Sequence, residues 1–311
     1  MKVISITPTR ISFFGGGCDL PVYYQKYGGM VINTAINLRQ HITLTSESNE
    51  WKMPEKANRG FYTQFFNEFG VHTLMGMEAT FDGVIESGLG SSASAATALV
   101  GALCKLKNIP MSRMEIAEKA WDIENNKLGL YSGKQDVYAS VWGGMNTIWF
   151  NQDGTVYRKE IENRVSKYLL THTLLFYSGE NRKNTKIQEN FKEPSSEQTE
   201  ALHEIKRCAN LARKTLEFGD VEKIGYLLND AWQFKKKSNP LVTNERIDKI
   251  YATAQHFGAW GGKCLGSGGG GYMIFMAEPR NHEKIINNLK ELNCTRVDYS
   301  IDRNGLEVRE I

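Results

Sequence analysis

The segment Ser87-Gly88-Leu89-Gly90-Ser91-Ser92-Ala93-Ser94 constrains this chain more than any other stretch. It follows a β-type run at 79–85 and opens an alanine-rich helix in which Ala96, Leu99, Val100 and Leu103 repeat at helical spacing. Amides at such a junction are the unpaired donors of a helix N-terminus, where an anion is favoured. Gly88 and Gly90 let the backbone approach phosphate oxygens, and the hydroxyls of Ser91 and Ser92 add hydrogen bonds or one metal ligand. A lone serine there would read as a simple helix cap; the whole string reads better as an anion site.

Two other phosphate-binding patterns fail. Gly88, Gly90 and Ala93 satisfy GxGxxG/A, but that pattern expects a second strand ending in an acidic residue about 20 positions on. Ile109-Pro110-Met111-Ser112 stands there instead, and with Arg113-Met114-Glu115 it has the form of a capping box opening a helix. No GxxxxGK[ST] string occurs. Gly266, Gly268 and Gly271 match GxGxxG by letter but are expected to run from helix to strand, the wrong order for a dinucleotide. Their tight setting before the apolar run 272–276 suits a turn facing a ligand better than a linker.

The rest of the chain reads as a mixture of helices and strands. A short strand at 2–6, Pro8, an apolar glycine-rich stretch at 11–17 and a strand at 36–45 are expected first, then a helix before 79. Past Ser112, the residues Ala117, Ala120, Trp121 and Glu124 share one helix face, so a carboxylate lies on a buried stripe. A strand at 145–150 leads into a second half, with an apolar run at 169–177, helices over 197–237 and 245–257, a stop at Gly258, a helix at 282–292 and two closing strands.

Arg10 and Asp19 flank Phe13-Phe14-Gly15-Gly16-Gly17-Cys18, which places a cation and a carboxylate beside a backbone that can hug a polar ligand. Carboxylates accept well from sugar hydroxyls; a glycine turn with a surface ion pair is the alternative. Glu124 and Asp136 are the carboxylates assigned to chemistry. Phosphoryl transfer needs alignment, charge neutralisation and a carboxylate near the nucleophilic hydroxyl, and Ser92 with Glu124 is a hard-oxygen pair suited to Mg²⁺. Taken singly, Asp136 is equally a cap or loop aspartate and Glu124 a partner for an unseen cation.

Lys and Arg number 38 against 35 Asp and Glu, with no long basic run, so neither nucleic acid nor an anionic membrane is an expected partner. Five scattered cysteines without a CxxC pair read as reduced thiols. With no signal-peptide pattern and no apolar stretch near the roughly 18 residues of a membrane span, a cytoplasmic protein is expected.

Together, PTRISFFGGGCDLPVYY from Pro8, SGLGSSAS from Ser87, GKQDVYA from Gly133 and GGKCLGSGGGGYMIF from Gly261 resemble the motifs of the GHMP kinases, and most of all the branch that phosphorylates D-glycero-D-manno-heptose 7-phosphate. The resemblance spans the chain in order. It implies an α+β GHMP kinase fold of two domains, an S5-like N-terminal ATP-binding domain over 1–160 and a ferredoxin-like C-terminal domain over 161–311, with the active site between them. It assigns Gly88, Leu89, Gly90, Ser91, Ser92 and Ala93 to ATP, Ser92 and Glu124 to Mg²⁺, Asp136 to the catalytic base and Arg10 to charge stabilisation. Gly16, Gly17, Cys18 and Asp19 would hold the sugar, and Gly268, Gly269 and Gly270 would close on substrate and phosphate.

An already phosphorylated acceptor needs a further cation, for which Lys134, Arg182 and Lys236 are candidates. By the resemblance the acceptor is the anomeric hydroxyl of a small-molecule sugar or sugar phosphate, D-glycero-D-manno-heptose 7-phosphate first, giving the 1,7-bisphosphate; a monomer or homodimer is expected. The chain departs from the pattern at Cys18, where heptose kinases commonly have threonine, and at Asp82-Gly83-Val84-Ile85-Glu86, where many relatives have a proline and a further glycine. A fucose- or galactose-type 1-kinase, a non-catalytic sugar or ATP sensor, and a dinucleotide-dependent oxidoreductase stay open as alternatives.

Overall fold

The computed structural model describes residues 1–46, 48–55, 57–71, 75–85, 87–179 and 191–311. Its first strand, β1 (Lys2–Phe14), runs through Pro8, where a break at 7 was expected. Proline lacks the N–H that a ladder needs, and the pairing register with β2 (Gly29–Thr45) shifts between Pro8 and Thr9, the kind of irregularity at which a strand accommodates proline. Burial along β1 alternates up to Ile6 and is continuous from Thr7 to Phe14, so the strand passes from a one-sided sheet position into the middle of the molecule.

Described residues form two sheets. In the first, β2 pairs with β1 along its length, with β4 (Gly76–Phe81) at its C-terminal end and with β5 (Met145–Phe150) at its N-terminal end. A short β3 (Trp51–Lys52) and β6 (Val156–Glu160) complete that side. Strand β4 stops at Phe81, short of the expected 85, and a loop carries the chain to α3 (Ser91–Leu106). The two helices before it are α1 (Pro21–Tyr27) and α2 (Arg59–Glu68). Helices α3, α4 (Arg113–Asp122) and α5 (Gln135–Trp142) pack against one another, and α3 and α5 lie on β1. The capping box is present: Glu115 N–H donates to Ser112 Oγ at 3.3 Å and Ser112 N–H to Glu115 Oε2 at 2.7 Å.

After α6 (Asn163–Thr171) the second sheet takes the antiparallel order β10 (Thr295–Val297), β7 (Thr173–Tyr177), β9 (Tyr272–Ala277), β8 (Ala259–Cys264). Helices α7 (Ser196–Phe218) and α8 (Val221–Ser238) share a core with Leu175, Ile274 and Met276 and also with Ile11, Phe13 and Ile32 of the first sheet. The alternate side chains Leu174, Phe176, Met273 and Phe275 pack against α9 (Glu245–His256) and α10 (His282–Glu291), as the two-residue period of a strand requires. Gly266 therefore follows a strand, β8, and the glycine-rich loop joins two antiparallel strands where a helix-to-strand passage was expected. The three glycine and alanine positions in Ala259-Trp260-Gly261-Gly262 weaken any β signal; Gly261 is there because a Cβ would collide with the Gly225 carbonyl of α8.

A division at 160 does not describe the last residues. Strand β11 (Glu307–Glu310) pairs with β1, Ile301 bridges Ile36, and buried Asp302 accepts from Arg39 Nε at 2.5 Å, so the C-terminus returns to the first sheet. All five cysteines are free and buried. Among the described residues, no helix is long and apolar enough to cross a membrane.

Candidate active site

Three segments far apart in sequence meet around Arg10. This residue sits on the doubly covered part of β1 and is 4% exposed. Its guanidinium donates twice to Asp136, Nε to Oδ1 at 2.7 Å and Nη2 to Oδ2 at 2.8 Å, and Nη1 donates to the Gly88 carbonyl at 2.6 Å. A paired fork of this kind fixes the carboxylate in plane and in direction. Arg10 N–H also donates to the Leu89 carbonyl at 3.0 Å, tying the loop before α3 to β1.

Gly90 begins α3 in the left-handed region (φ 75°), and a Cβ there would stand 2.8 Å from Asp136 Oδ2. Only glycine lets the N-terminus of α3 and the carboxylate come this close. Gly88 abuts the Leu265 carbonyl, while Tyr272 N–H donates to the Ser87 carbonyl at 2.8 Å, so the second glycine-rich loop supports the first from behind. The first turn of α3, carrying Ser91, Ser92 and Ala93, thus opens beside Asp136.

Ser92 Oγ donates to Glu124 Oε1 at 2.5 Å, and Glu124 Oε2 is buried without a partner among the described residues. Glu124 is 3% exposed and sits in a π-helical turn (Ile123–Lys127) that continues α4. Burial pushes its carboxyl up to about 7, against the Ser92 hydrogen bond and with help from the Asp136 charge. Two hard oxygens, one of them orphaned, fit a cation of the Mg²⁺ type that keeps most of its water and phosphate ligands. Among the described residues no group of three or more His, Cys, Asp or Glu side chains is poised to hold a metal.

Asp19 lies on the other side of Asp136. Its Oδ1 accepts from Gly17 N–H at 3.0 Å and Gln135 Nε2 at 3.3 Å, and its Oδ2 from Gln135 N–H at 3.1 Å, at the start of α5. Burial and the Asp136 charge raise its pKa; the backbone donors of Gln135 and Gly17 oppose them. Gly133 must be glycine, because a Cβ would collide with the Asp19 carboxylate.

Other expected contacts fall elsewhere. Cys18 Sγ is wholly buried beside Tyr23, Leu202 and Ile205, with the Leu202 carbonyl 3.5 Å away, so its side chain packs under the glycine turn rather than facing a sugar. Lys134 gives its ammonium to Glu118 at 2.7 Å and stacks over Trp121 at 4.7 Å, which leaves no spare cation for a substrate phosphate. Lys236 pairs with Asp248 at 3.5 Å. Gly268 and Gly269 lean on Val242, whose carbonyl accepts from Gly269 N–H at 2.6 Å, and the Gly270 carbonyl accepts from Cys264 Sγ at 3.1 Å. Gly16 borders the site, and Gly17 reaches it through Asp19. Arg182 and Glu86 lie outside the described residues.

Residues that pattern reading passed over are Ser12, Gln135, Lys235 and Lys263. Lys235 Nζ donates to the Gly266 carbonyl at 2.6 Å, and burial lowers it to about 8. Lys263, on β8, is 6% exposed, with Nζ 3.4 Å from the Phe13 carbonyl. The signal was a charged residue inside the strand-like string before Gly266.

The family model of the GHMP kinases N-terminal domain matches residues 58–144, and that of the GHMP kinases C-terminal domain matches residues 183–293. The D-glycero-alpha-D-manno-heptose 7-phosphate kinase of Campylobacter jejuni is 29% identical over 99% of this chain and 99% of its own. Among solved structures, a D-glycero-D-manno-heptose 1-phosphate kinase from Bacteroides thetaiotaomicron superposes with a TM-score of 0.77 at 24% identity, covering 99% of both chains. The galactokinase of Lactococcus lactis, solved with galactose, gives 0.74 at 18% identity, covering 100% of this chain and 95% of that one. At such identities the superpositions speak to the fold.

Proposed function

The chain belongs to the GHMP kinases, and from that premise we propose that it transfers the terminal phosphoryl group of ATP to the anomeric hydroxyl of D-glycero-D-manno-heptose 7-phosphate, giving the 1,7-bisphosphate. It is an ATP-dependent sugar kinase of that family. The choice of sugar rests on the full-length similarity to the Campylobacter jejuni heptose 7-phosphate kinase. The mechanism rests on one observation, the Arg10 fork that holds Asp136 against Gly90 at the mouth of α3.

In this reading Gly88, Leu89, Gly90, Ser91, Ser92 and Ala93 cradle the nucleotide phosphates with the amides and dipole of α3. Members of the family use ATP with Mg²⁺; here Ser92 and Glu124 would hold the ion, which when bound neutralises charge on the phosphates. Asp19 orients a sugar hydroxyl, with Gly16 and Gly17 giving its approach. Asp136 takes the proton of the acceptor hydroxyl as its oxygen bonds to phosphorus and the bond from phosphorus to the bridging oxygen breaks. Arg10 keeps Asp136 aimed, and its Nη1 anchors the loop at Gly88. Residues 1–160 and 161–311 would supply the two walls, with the C-terminal strand paired back onto β1 of the first.

Incubation with Mg·ATP and a panel of heptose 7-phosphate, unphosphorylated heptose, fucose, galactose and mevalonate, followed by mass detection of products, tests the reading. Heptose 7-phosphate should be turned over at the highest kcat/KM. Preference for fucose or galactose would replace the sugar while keeping the chemistry; no turnover on any acceptor would contradict the kinase assignment of these residues.

A further inference from the structure

Lys263 is a basic residue on a buried strand, without an ion-pair partner among the described residues. Among the described residues its ammonium has one hydrogen bond, to the Phe13 carbonyl at 3.4 Å, and no carboxylate within ion-pair distance. A buried cation without a partner is costly, and a protein that retains one has a use for it or a partner that arrives later. Two further polar atoms beside it are in the same condition: Ser12 Oγ and Gln135 Oε1 are buried and make no hydrogen bond among the described residues.

The three side chains converge. A Cβ placed on Gly16 would stand 3.5 Å from Ser12 Oγ, 3.8 Å from Gln135 Nε2 and 3.9 Å from Lys263 Nζ, so the absence of a side chain at Gly16 leaves a small polar recess among them. Gln135 connects the recess to Asp19, which accepts from its Nε2. The phosphate loop, in contrast, is backed by Gly266, and it is Lys235 that donates to the Gly266 carbonyl. Lys263 thus stands on the Asp19 side of the site.

We propose that Ser12, Gln135 and Lys263 form a subsite for the phosphate that the acceptor sugar already carries. The inference rests on the sugar-kinase reading above and adds to it a preference for a phosphorylated acceptor over its neutral counterpart. Ser12 and Lys263 donate to phosphate oxygens, while Gln135, whose Nε2 is given to Asp19 and whose free Oε1 can only accept, takes a neighbouring hydroxyl of the same ligand. The groups facing Lys263 agree with this use. Burial first, then the positive charges of Lys235 on α8 and Arg10 on β1, press its pKa well below the usual lysine value, opposed by Cys264 on its own strand and Asp19 on the glycine turn. An arriving phosphate works against that depression and favours the ammonium form.

The test compares wild type, Lys263→Met and Ser12→Ala, the last a one-atom deletion that the fold should tolerate. Each is assayed on heptose 7-phosphate and on the unphosphorylated heptose with Mg·ATP. Wild type should favour the phosphorylated sugar. Lys263→Met should shrink that preference roughly 10- to 100-fold, and Ser12→Ala should shrink it severalfold, as the loss of contacts to a charged group predicts. An unchanged preference in both variants overturns the proposal. So does an effect confined to KM for Mg·ATP, which would mark the nucleotide as the source of the phosphate. A wild type that prefers the neutral sugar sinks this subsite and leaves the kinase reading standing, whereas one that turns over no sugar removes both.

Discussion

At the scale of single residues, the site is a set of buried charges whose partners decide their roles. Glu124 shows this most clearly, because one oxygen accepts from Ser92 and the other faces nothing among the described residues. Its folded-state pKa of about 7 lies above the roughly 4.3 of an unfolded glutamate. The folded state therefore binds the extra proton, and the stability this contributes is full below about pH 4.3 and lost as pH rises through 7. In metal-free protein Tm should fall between pH 5 and 7 by an amount corresponding to at most about 3 kcal/mol. Glu124→Gln should flatten that stretch of the profile, and added Mg²⁺ should restore wild-type Tm near pH 7; a Tm profile identical in Glu124→Gln would assign the slope to other groups. Arg10, Glu124 and Asp136 were legible in the sequence because each sits in a recognisable string or on a patterned helix face. Lys134 misled because its string is right and its side chain is not: Glu118, sixteen residues earlier on α4, captures it. Lys263 went unread since only the tertiary structure tells a lysine in a buried strand from one on an edge.

Secondary-structure elements place these groups by close approach of backbone. Gly133 admits the Asp19 carboxylate to the N-terminal amide of α5, and Gly90 admits Asp136 to the N-terminus of α3. Replacing Gly133 by alanine should push Asp19 off the Gln135 amide, raising KM for the sugar about tenfold or more with little change in KM for Mg·ATP. Equal effects on both substrates, measured by steady-state kinetics, would show that the change acts through the whole domain instead. The capping box at Ser112 and the apolar period of α3 were plain from spacing alone. Strand β1 was underestimated because Pro8 reads locally as a breaker, and β8 was missed because its glycines answer to α8 rather than to β propensity. Both errors fell next to the site, where backbones are packed most tightly.

At the scale of the whole molecule, the chain folds so that its first strand is shared. Strand β1 pairs with β2 from end to end; its first part is also paired by the C-terminal β11, and the rest contributes to a core common to Phe13, Leu228 and Ile274. Arg10 is on that shared part, within reach of a loop from the first half at Gly88, a helix start at Asp136 and, behind the loop, the hairpin turn from the second half at Gly266. Mixed α+β architecture followed from the order of patterned segments, but the return of 301–310 to the first sheet did not, since a short polar terminal strand carries almost no pattern of its own. The central claim is that these converging segments make one transfer centre with Asp136 as the base. Single-turnover transfer from Mg·ATP to heptose 7-phosphate, compared between wild type and Asp136→Asn at equal nucleotide occupancy, tests it most directly. The account predicts that the variant binds Mg·ATP and sugar as before and transfers roughly 10²- to 10⁴-fold more slowly; transfer at the wild-type rate would contradict it.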